Sequence, residues 1–103
     1  MDVPKITVNG KVYTMPAPDD ITMKVWRKMT VNQQEVSDSD TIADALDKRL
    51  KGLAVMYDIS ADVLEDMKPQ DIVPAYNAGA KYLFDLVFYK LGDMPKNAEK
   101  AGE

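Results

Sequence analysis

Residues 75–93 read AYNAGAKYLFDLVFYKLGD, and their spacing predicts one helix with apolar side chains on two separate faces. At about 100° per residue, the first stripe spans roughly 100° of arc and would face a core. It comprises Tyr76, Ala80, Leu83, Phe84, Val87 and Leu91. A second stripe of Tyr82, Leu86 and Tyr89 lies about 220–280° from Tyr76, across a polar sector. Such a helix requires cover on two sides, so its last turns must meet more than one neighbour.

Two explanations of the second stripe are open. The last helix could be central, with the hairpin or the first helix covering that stripe. Alternatively, the stripe could face another chain, since two tyrosines and a leucine expose about 300 Å² and a tyrosine hydroxyl can stay hydrated there. The spacing also predicts that Met23 lies opposite the apolar side of the first helix and is exposed. The candidate partner-binding residues are Tyr82, Leu86, Tyr89, Met23 and Val55.

The N-terminal segment KITVNGKVYTM, residues 5–15, predicts a β-hairpin. Apolar and polar residues alternate on both sides of Asn9-Gly10, and this dipeptide tolerates positive φ at both central positions of a type I′ turn. A two-stranded hairpin alone is marginally stable in water. We therefore expect it to rest on helices.

The remaining periodicity predicts about four helices after this hairpin. The expected ranges are about 5–15 for the hairpin and about 20–30, 40–57, 60–67 and 70–91 for the helices. Residues 30–40 lose the apolar period and are expected to form a polar loop, while Ile42 is expected to begin the buried stripe of the second helix. Residues 1–92 are expected to form a single globular domain, and the polar residues 93–103 a disordered tail. The predicted fold class is α+β, mostly helical.

The chain contains no cysteine and no histidine, and this removes much site chemistry. Disulfides, thiolate nucleophiles, serine–histidine–aspartate triads and the usual zinc sites each need one of these residues. The acidic segment EVSDSDTIAD lacks the glycine and glutamate positions of an EF-hand calcium loop, so helix capping explains it better. We expect no metal, no cofactor and no catalytic residues, and hence a protein that is not an enzyme.

Charge and hydropathy also narrow the partners. A formal net charge of −4 and 13 basic residues that look scattered argue against nucleic acid, which requires a concentrated basic surface. Apolar runs such as residues 86–89 are far shorter than the ~20 residues of a membrane span. The N-terminus lacks the pattern of a secretory signal. The expectation is a cytoplasmic protein that contacts neither nucleic acid nor membrane.

The order of elements resembles a specific family. An NGKVYTM hairpin, a helix near VWRKM, a polar break and the terminal stretch LEDMKPQDIVPAYNAGAKYLFDLVFYKL are similar in layout to the tail assembly chaperones of long-tailed (siphovirus-like) bacteriophages and prophages. The resemblance extends over residues 5–91 and rests on layout, because these families carry no catalytic motif.

The resemblance implies a non-enzymatic chaperone that binds the hydrophobic tape-measure protein and keeps it soluble during tail morphogenesis. It also implies a possible contact with the tail-tube protein, self-association, and residence in the bacterial host cytoplasm but not in the mature virion. The alternative from another class is a small phage or prophage regulatory or adaptor protein that binds a host partner. Either function requires an apolar surface on a small domain that carries little chemistry of its own.

Overall fold

A computed structural model describes residues 2–92 of the chain, with side chains described as far as Val87. An N-terminal antiparallel hairpin is followed by helices, so the predicted α+β, mostly helical class is confirmed. The strands are β1 (Lys5–Val8) and β2 (Lys11–Thr14), followed by a short 3-10 turn at Pro18–Asp20. The helices are α1 (Met23–Ser37), α2 (Ile42–Tyr57), α3 (Ala61–Leu64) and α4 (Pro69–Gly92). The expected disordered tail at 93–103 lies outside the described residues.

The hairpin has the turn that its sequence predicts. Asn9 and Gly10 both have positive φ, at 52° and 79°, as a type I′ turn requires. The inward side chains Ile6 and Val8 are buried, and the Asn9 amide donates a 2.7 Å hydrogen bond to the Asp66 carboxylate before α4. The hairpin is therefore anchored on the helical part, which supplies the cover that two strands lack alone.

Hydroxyl side chains cap the N-termini of three helices. Thr22 accepts from the Val25 N–H at 3.4 Å, Thr41 from the Asp44 N–H at 3.0 Å, and Ser60 from the Asp62 N–H at 3.2 Å. Each bond satisfies a backbone donor that has no partner inside its helix. The short connection 38–41 makes α1 and α2 an antiparallel pair, and α2 also packs against α4. Helix α2 is thus the centre of the helical layer.

Helix α1 continues to Ser37, so the prediction of a polar loop at residues 30–40 was wrong over most of that range. The physical reason is a buried polar residue. Asn32 is only 5% exposed: its amide donates to the Lys48 carbonyl at 2.9 Å, and its Oδ1 accepts from the Tyr76 hydroxyl at 2.6 Å. Because Asn32 occupies a core position between Met29 and Val36, a search for apolar residues at helical spacing finds the period broken there.

The expected buried stripe of α2 begins later than predicted. Ile42 is 83% exposed, whereas Leu50 and Leu53 are buried. Ile42 is the first residue of the helix, directly after the Thr41 cap. Helical spacing gives the direction of a side chain but does not show where neighbouring elements begin to cover it.

Two glycines allow close contact between helices. A Cβ atom on Gly52 would lie 2.6 Å from the Tyr76 ring and against the Asn32 side chain, two groups that the hydrogen bond between them holds in place. A Cβ atom on Gly79 would meet the thioether of Met56, which is flexible. The two positions therefore differ in how readily the surroundings can move.

Gly52→Ala is expected to lower the free energy of unfolding by about 1–3 kcal/mol, because overpacking outweighs the gain of about 1 kcal/mol in helix propensity. Gly79→Ala, the matched control, is expected to stay within about 1 kcal/mol of the wild type, since Met56 can change rotamer. Urea unfolding of both variants measures the difference. Equal stability of the two variants would contradict close packing at Gly52.

Burial of Tyr57 predicts a loss of stability in alkali. Tyr57 is 4% exposed, and burial raises its pKa from 10.0 to about 12. Below pH 10 the hydroxyl is protonated in both states, but between pH 10 and 12 the unfolded chain loses this proton first. Unfolding is therefore favoured as the pH rises, by up to about 3 kcal/mol. Urea unfolding at about pH 9 and pH 11.5 is expected to show this loss, and Tyr57→Phe should reduce it; an unchanged loss in that variant would exclude Tyr57 as its source.

Candidate functional site

Tyr82 belongs to the core, so the prediction that it faces a partner was wrong. Its side chain is 4% exposed, and its hydroxyl donates a 2.8 Å hydrogen bond to the Pro16 carbonyl. The segment between β2 and α1 crosses α4 at this point. A proline-rich connection has few N–H groups but keeps its carbonyls, and Pro16 thus provides the acceptor that a buried tyrosine hydroxyl needs. At Tyr82 the second stripe is therefore covered within the chain, by the connection between the hairpin and α1.

The other stripe of α4 continues beyond the core. Leu83 is 1% exposed, but Val87, one turn later on the same side, is 47% exposed. Leu86 is half-buried and packs against the edge of the core. The side chain of Tyr89 lies outside the described residues. Within the described side chains, the stripe therefore becomes exposed at Val87.

The last described turn of α4, the start of α1 and the segment before it enclose a groove of about 300 Å³. We call it the α4 groove and define it by Ile21, Trp26, Leu86 and Val87, with Pro18 and Asp19 at its edge. The Trp26 ring meets the Phe84 ring edge to face, with 5.6 Å between centroids and 78° between planes. This aromatic contact holds the indole against α4 and gives the groove a rigid apolar wall.

The remaining candidates, Met23 and Val55, lie elsewhere. Met23, the first residue of α1, is 57% exposed, as its position on the helix predicts. Val55 is half-buried on α2 and faces the groove between α1 and α2. The five candidate residues thus do not form one surface: Leu86 lines the α4 groove, Val55 a second groove, and Tyr82 the core.

The second groove is rimmed by positive charge. We call it the basic groove: it has a volume of about 480 Å³ and contains Val31 and Val55 between Arg27, Lys28 and Lys51, with Glu35 at one end. Val31 is 61% exposed at its centre. The sequence interpretation missed this surface because it treated the basic residues as scattered. The signal was present, since six of the 13 fall within residues 24–51: Lys24, Arg27, Lys28, Lys48, Arg49 and Lys51.

A third concave surface has the opposite charge. This acidic pocket, of about 250 Å³, lies where α2, α3 and the start of α4 meet. Its floor is apolar, and Asp47 and Glu65 stand at its rim as exposed carboxylates. The floor comprises Leu46, Leu50, Leu64, Met67 and Ile72.

The groups with a shifted pKa are two buried tyrosines of the core, Tyr57 and Tyr76. Burial is the main cause that raises the pKa of Tyr76; Glu35 raises it further, while Arg49 opposes the shift. The hydroxyl of Tyr76 is hydrogen-bonded to Asn32 inside the helical layer.

Within residues 2–92, no three acidic side chains gather as ligands for a metal ion, and no helix is both long enough and apolar enough to cross a membrane. Among the concave surfaces of the described residues, the α4 groove, the basic groove and the acidic pocket are the candidates for recognition.

Comparison of the chain with protein-family models, with curated proteins and with solved structures found no significant match. The functional argument therefore depends on the surfaces themselves.

Proposed function

We propose that this protein is a non-enzymatic tail assembly chaperone of a long-tailed bacteriophage or prophage. In this proposal it binds apolar helical segments of the tape-measure protein in the α4 groove and keeps them soluble in the host cytoplasm until the tail tube is built. The observation that carries the proposal is the stripe of α4 that passes from 1% exposure at Leu83 to 47% at Val87 beside Trp26. A groove with this composition suits the apolar face of a helix.

The mode of binding follows from the composition of the groove. Leu86, Val87 and Ile21 offer aliphatic surface, and Trp26 offers a flat wall, so burial of apolar surface is the driving force for binding. One charged group, Asp19, stands at the edge. A groove of this size supports modest affinity for one segment, and a long partner with many such segments would be coated by many copies. The net charge of −4 would keep the coated complex soluble.

Co-expression with the tape-measure protein of the same phage or prophage tests the proposal. The expected result is that the tape-measure protein, insoluble alone, is recovered in the soluble fraction together with the chaperone. A tape-measure protein that stays insoluble beside well-expressed, folded chaperone contradicts the proposal. Recovery of a defined globular host protein instead, from a pull-down, would favour the adaptor function.

A further inference from the structure

The tip of the hairpin contains the one Asn-Gly pair of the sequence. A glycine has no side chain to shield its backbone nitrogen, and this nitrogen can attack the side-chain carbonyl carbon of a preceding asparagine. Asn9 and Gly10 are both exposed, and a Cβ atom on Gly10 would meet nothing within 4 Å. The pairing of Val8 with Lys11 closes the turn, so the Gly10 N–H is outside the ladder. The two atoms that would react therefore lie in open surroundings.

The side-chain amide of Asn9 is held by a contact with another part of the chain. It donates a 2.7 Å hydrogen bond to the carboxylate of Asp66, which lies 57 residues away between α3 and α4. For the attack, the Asn9 amide must leave Asp66 and turn towards the Gly10 nitrogen. Both partners of the bond are exposed, and such bonds open readily because water replaces either partner. The contact is therefore a restraint on the reaction that can be released.

We propose that Asn9 is a site of spontaneous deamidation and that its hydrogen bond to Asp66 restrains the rate. The Gly10 nitrogen gives its proton to a solvent base and forms a bond to Cγ of Asn9. The bond from Cγ to the amide nitrogen breaks, and this nitrogen leaves as ammonia, so the product is a cyclic succinimide. Water then adds to one carbonyl of the ring and opens it to aspartate or isoaspartate. The balance is one water consumed and one ammonia released, without any change in oxidation state.

The reaction removes an anchor of the hairpin. Either product carries a carboxylate where the amide donor was, so the group that faces Asp66 becomes a second acceptor with the same charge. Isoaspartate also lengthens the backbone between the two central residues by one methylene, which a two-residue turn does not accommodate. Because the released ammonia does not return, the loss of this contact is permanent. The α4 groove takes no part, and the inference is independent of the proposed function.

Peptide mapping by mass spectrometry, after incubation of the whole protein in mildly alkaline buffer, tests the site. Deamidation is expected at Asn9 before it is found at Asn77, an exposed asparagine that is followed by alanine within α4. Asp66→Ala is expected to accelerate the reaction at Asn9 about fivefold, the change that corresponds to the loss of one exposed hydrogen bond. Glu65→Ala removes the same charge from the neighbouring exposed residue and is expected to keep the wild-type rate.

A second variant at the same position separates the hydrogen bond from a general loosening of the fold. Asp66→Asn retains an acceptor oxygen for the Asn9 amide and is expected to restore most of the restraint. Equal rates at Asn9 and Asn77, or an Asp66→Ala variant that reacts no faster than Glu65→Ala, would overturn the proposal.

Hydrogen exchange measures the consequence for the hairpin. Asn9→Asp reproduces the aspartate product and is expected to speed amide exchange in β1 and β2 up to about tenfold, while exchange in α2 stays unchanged. The difference is expected to shrink at high salt, where the repulsion between the two carboxylates is screened. Wild-type exchange of the hairpin in Asn9→Asp would show that deamidation does not remove an anchor.

Discussion

Val87→Asp is expected to weaken binding of the tape-measure protein about a hundredfold and to leave the isolated protein folded. The side chain is 47% exposed in the α4 groove, so the free protein can hydrate the carboxylate. In the complex the same carboxylate would be buried against apolar groups without a partner, and the valine contact would be lost. Together these costs amount to about 3 kcal/mol, since each tenfold change in affinity corresponds to about 1.4 kcal/mol.

A matched variant separates the groove from a general effect of charge. Val12→Asp introduces the same change on β2, where Val12 is 58% exposed and does not line the α4 groove. Its affinity is expected to stay within about twofold of the wild type. Leu86→Asp should weaken binding like Val87→Asp, but because Leu86 packs against the core it should also reduce stability. Titration calorimetry and urea unfolding measure both quantities. Equal affinity for Val87→Asp and Val12→Asp would exclude the α4 groove as the binding site.

Asn32→Ala is expected to have the largest effect on stability among the polar substitutions, about 2–3 kcal/mol. The change removes the acceptor of the buried Tyr76 hydroxyl, at 2.6 Å, and leaves that hydroxyl without a partner between α1, α2 and α4. An unsatisfied buried polar group costs about 1–3 kcal/mol, and the lost amide packing adds to it. The Lys48 carbonyl also loses the Asn32 amide.

A double-mutant cycle identifies the hydrogen bond as the cause. Tyr76→Phe removes the donor, and in the double variant neither partner of this bond remains unsatisfied. The double variant should therefore lose less stability than the sum of the two single variants, by about 1 kcal/mol. Urea unfolding of the four proteins gives the coupling energy. Strict additivity, or a loss below about 0.5 kcal/mol for Asn32→Ala, would show that the bond does not hold the helices together.

The parts of the fold governed by local rules could be predicted from sequence. Asn9-Gly10 is a turn signal because few residue pairs accept positive φ twice, and the structure has that conformation. Residues such as Leu50 and Leu53 have the spacing of a buried helix face and are buried. Both signals depend on backbone geometry within a few residues.

The errors occurred where a residue's role depends on distant neighbours. Asn32 interrupts an apolar period, but Tyr76, 44 residues away, makes it a core residue. Tyr82 lies on a separate stripe, and its cover comes from the Pro16 carbonyl, 66 residues away. The basic groove likewise requires α1 and α2 to be packed side by side before Arg27 and Lys51 can be seen to share a surface. Helical spacing gives the direction of these side chains and does not identify their neighbours.

The emission of Trp26 provides the most direct test of the α4 groove. It is the single tryptophan of the chain and lines the groove beside Leu86 and Val87. Titration with a tryptophan-free segment of the tape-measure protein is expected to shift this emission in a saturable manner for the wild type and for Val12→Asp. Under the same conditions, Val87→Asp should give no saturable shift. Calorimetric binding of the segment without any change in Trp26 emission, or the same shift in Val87→Asp as in the wild type, would contradict binding in the α4 groove.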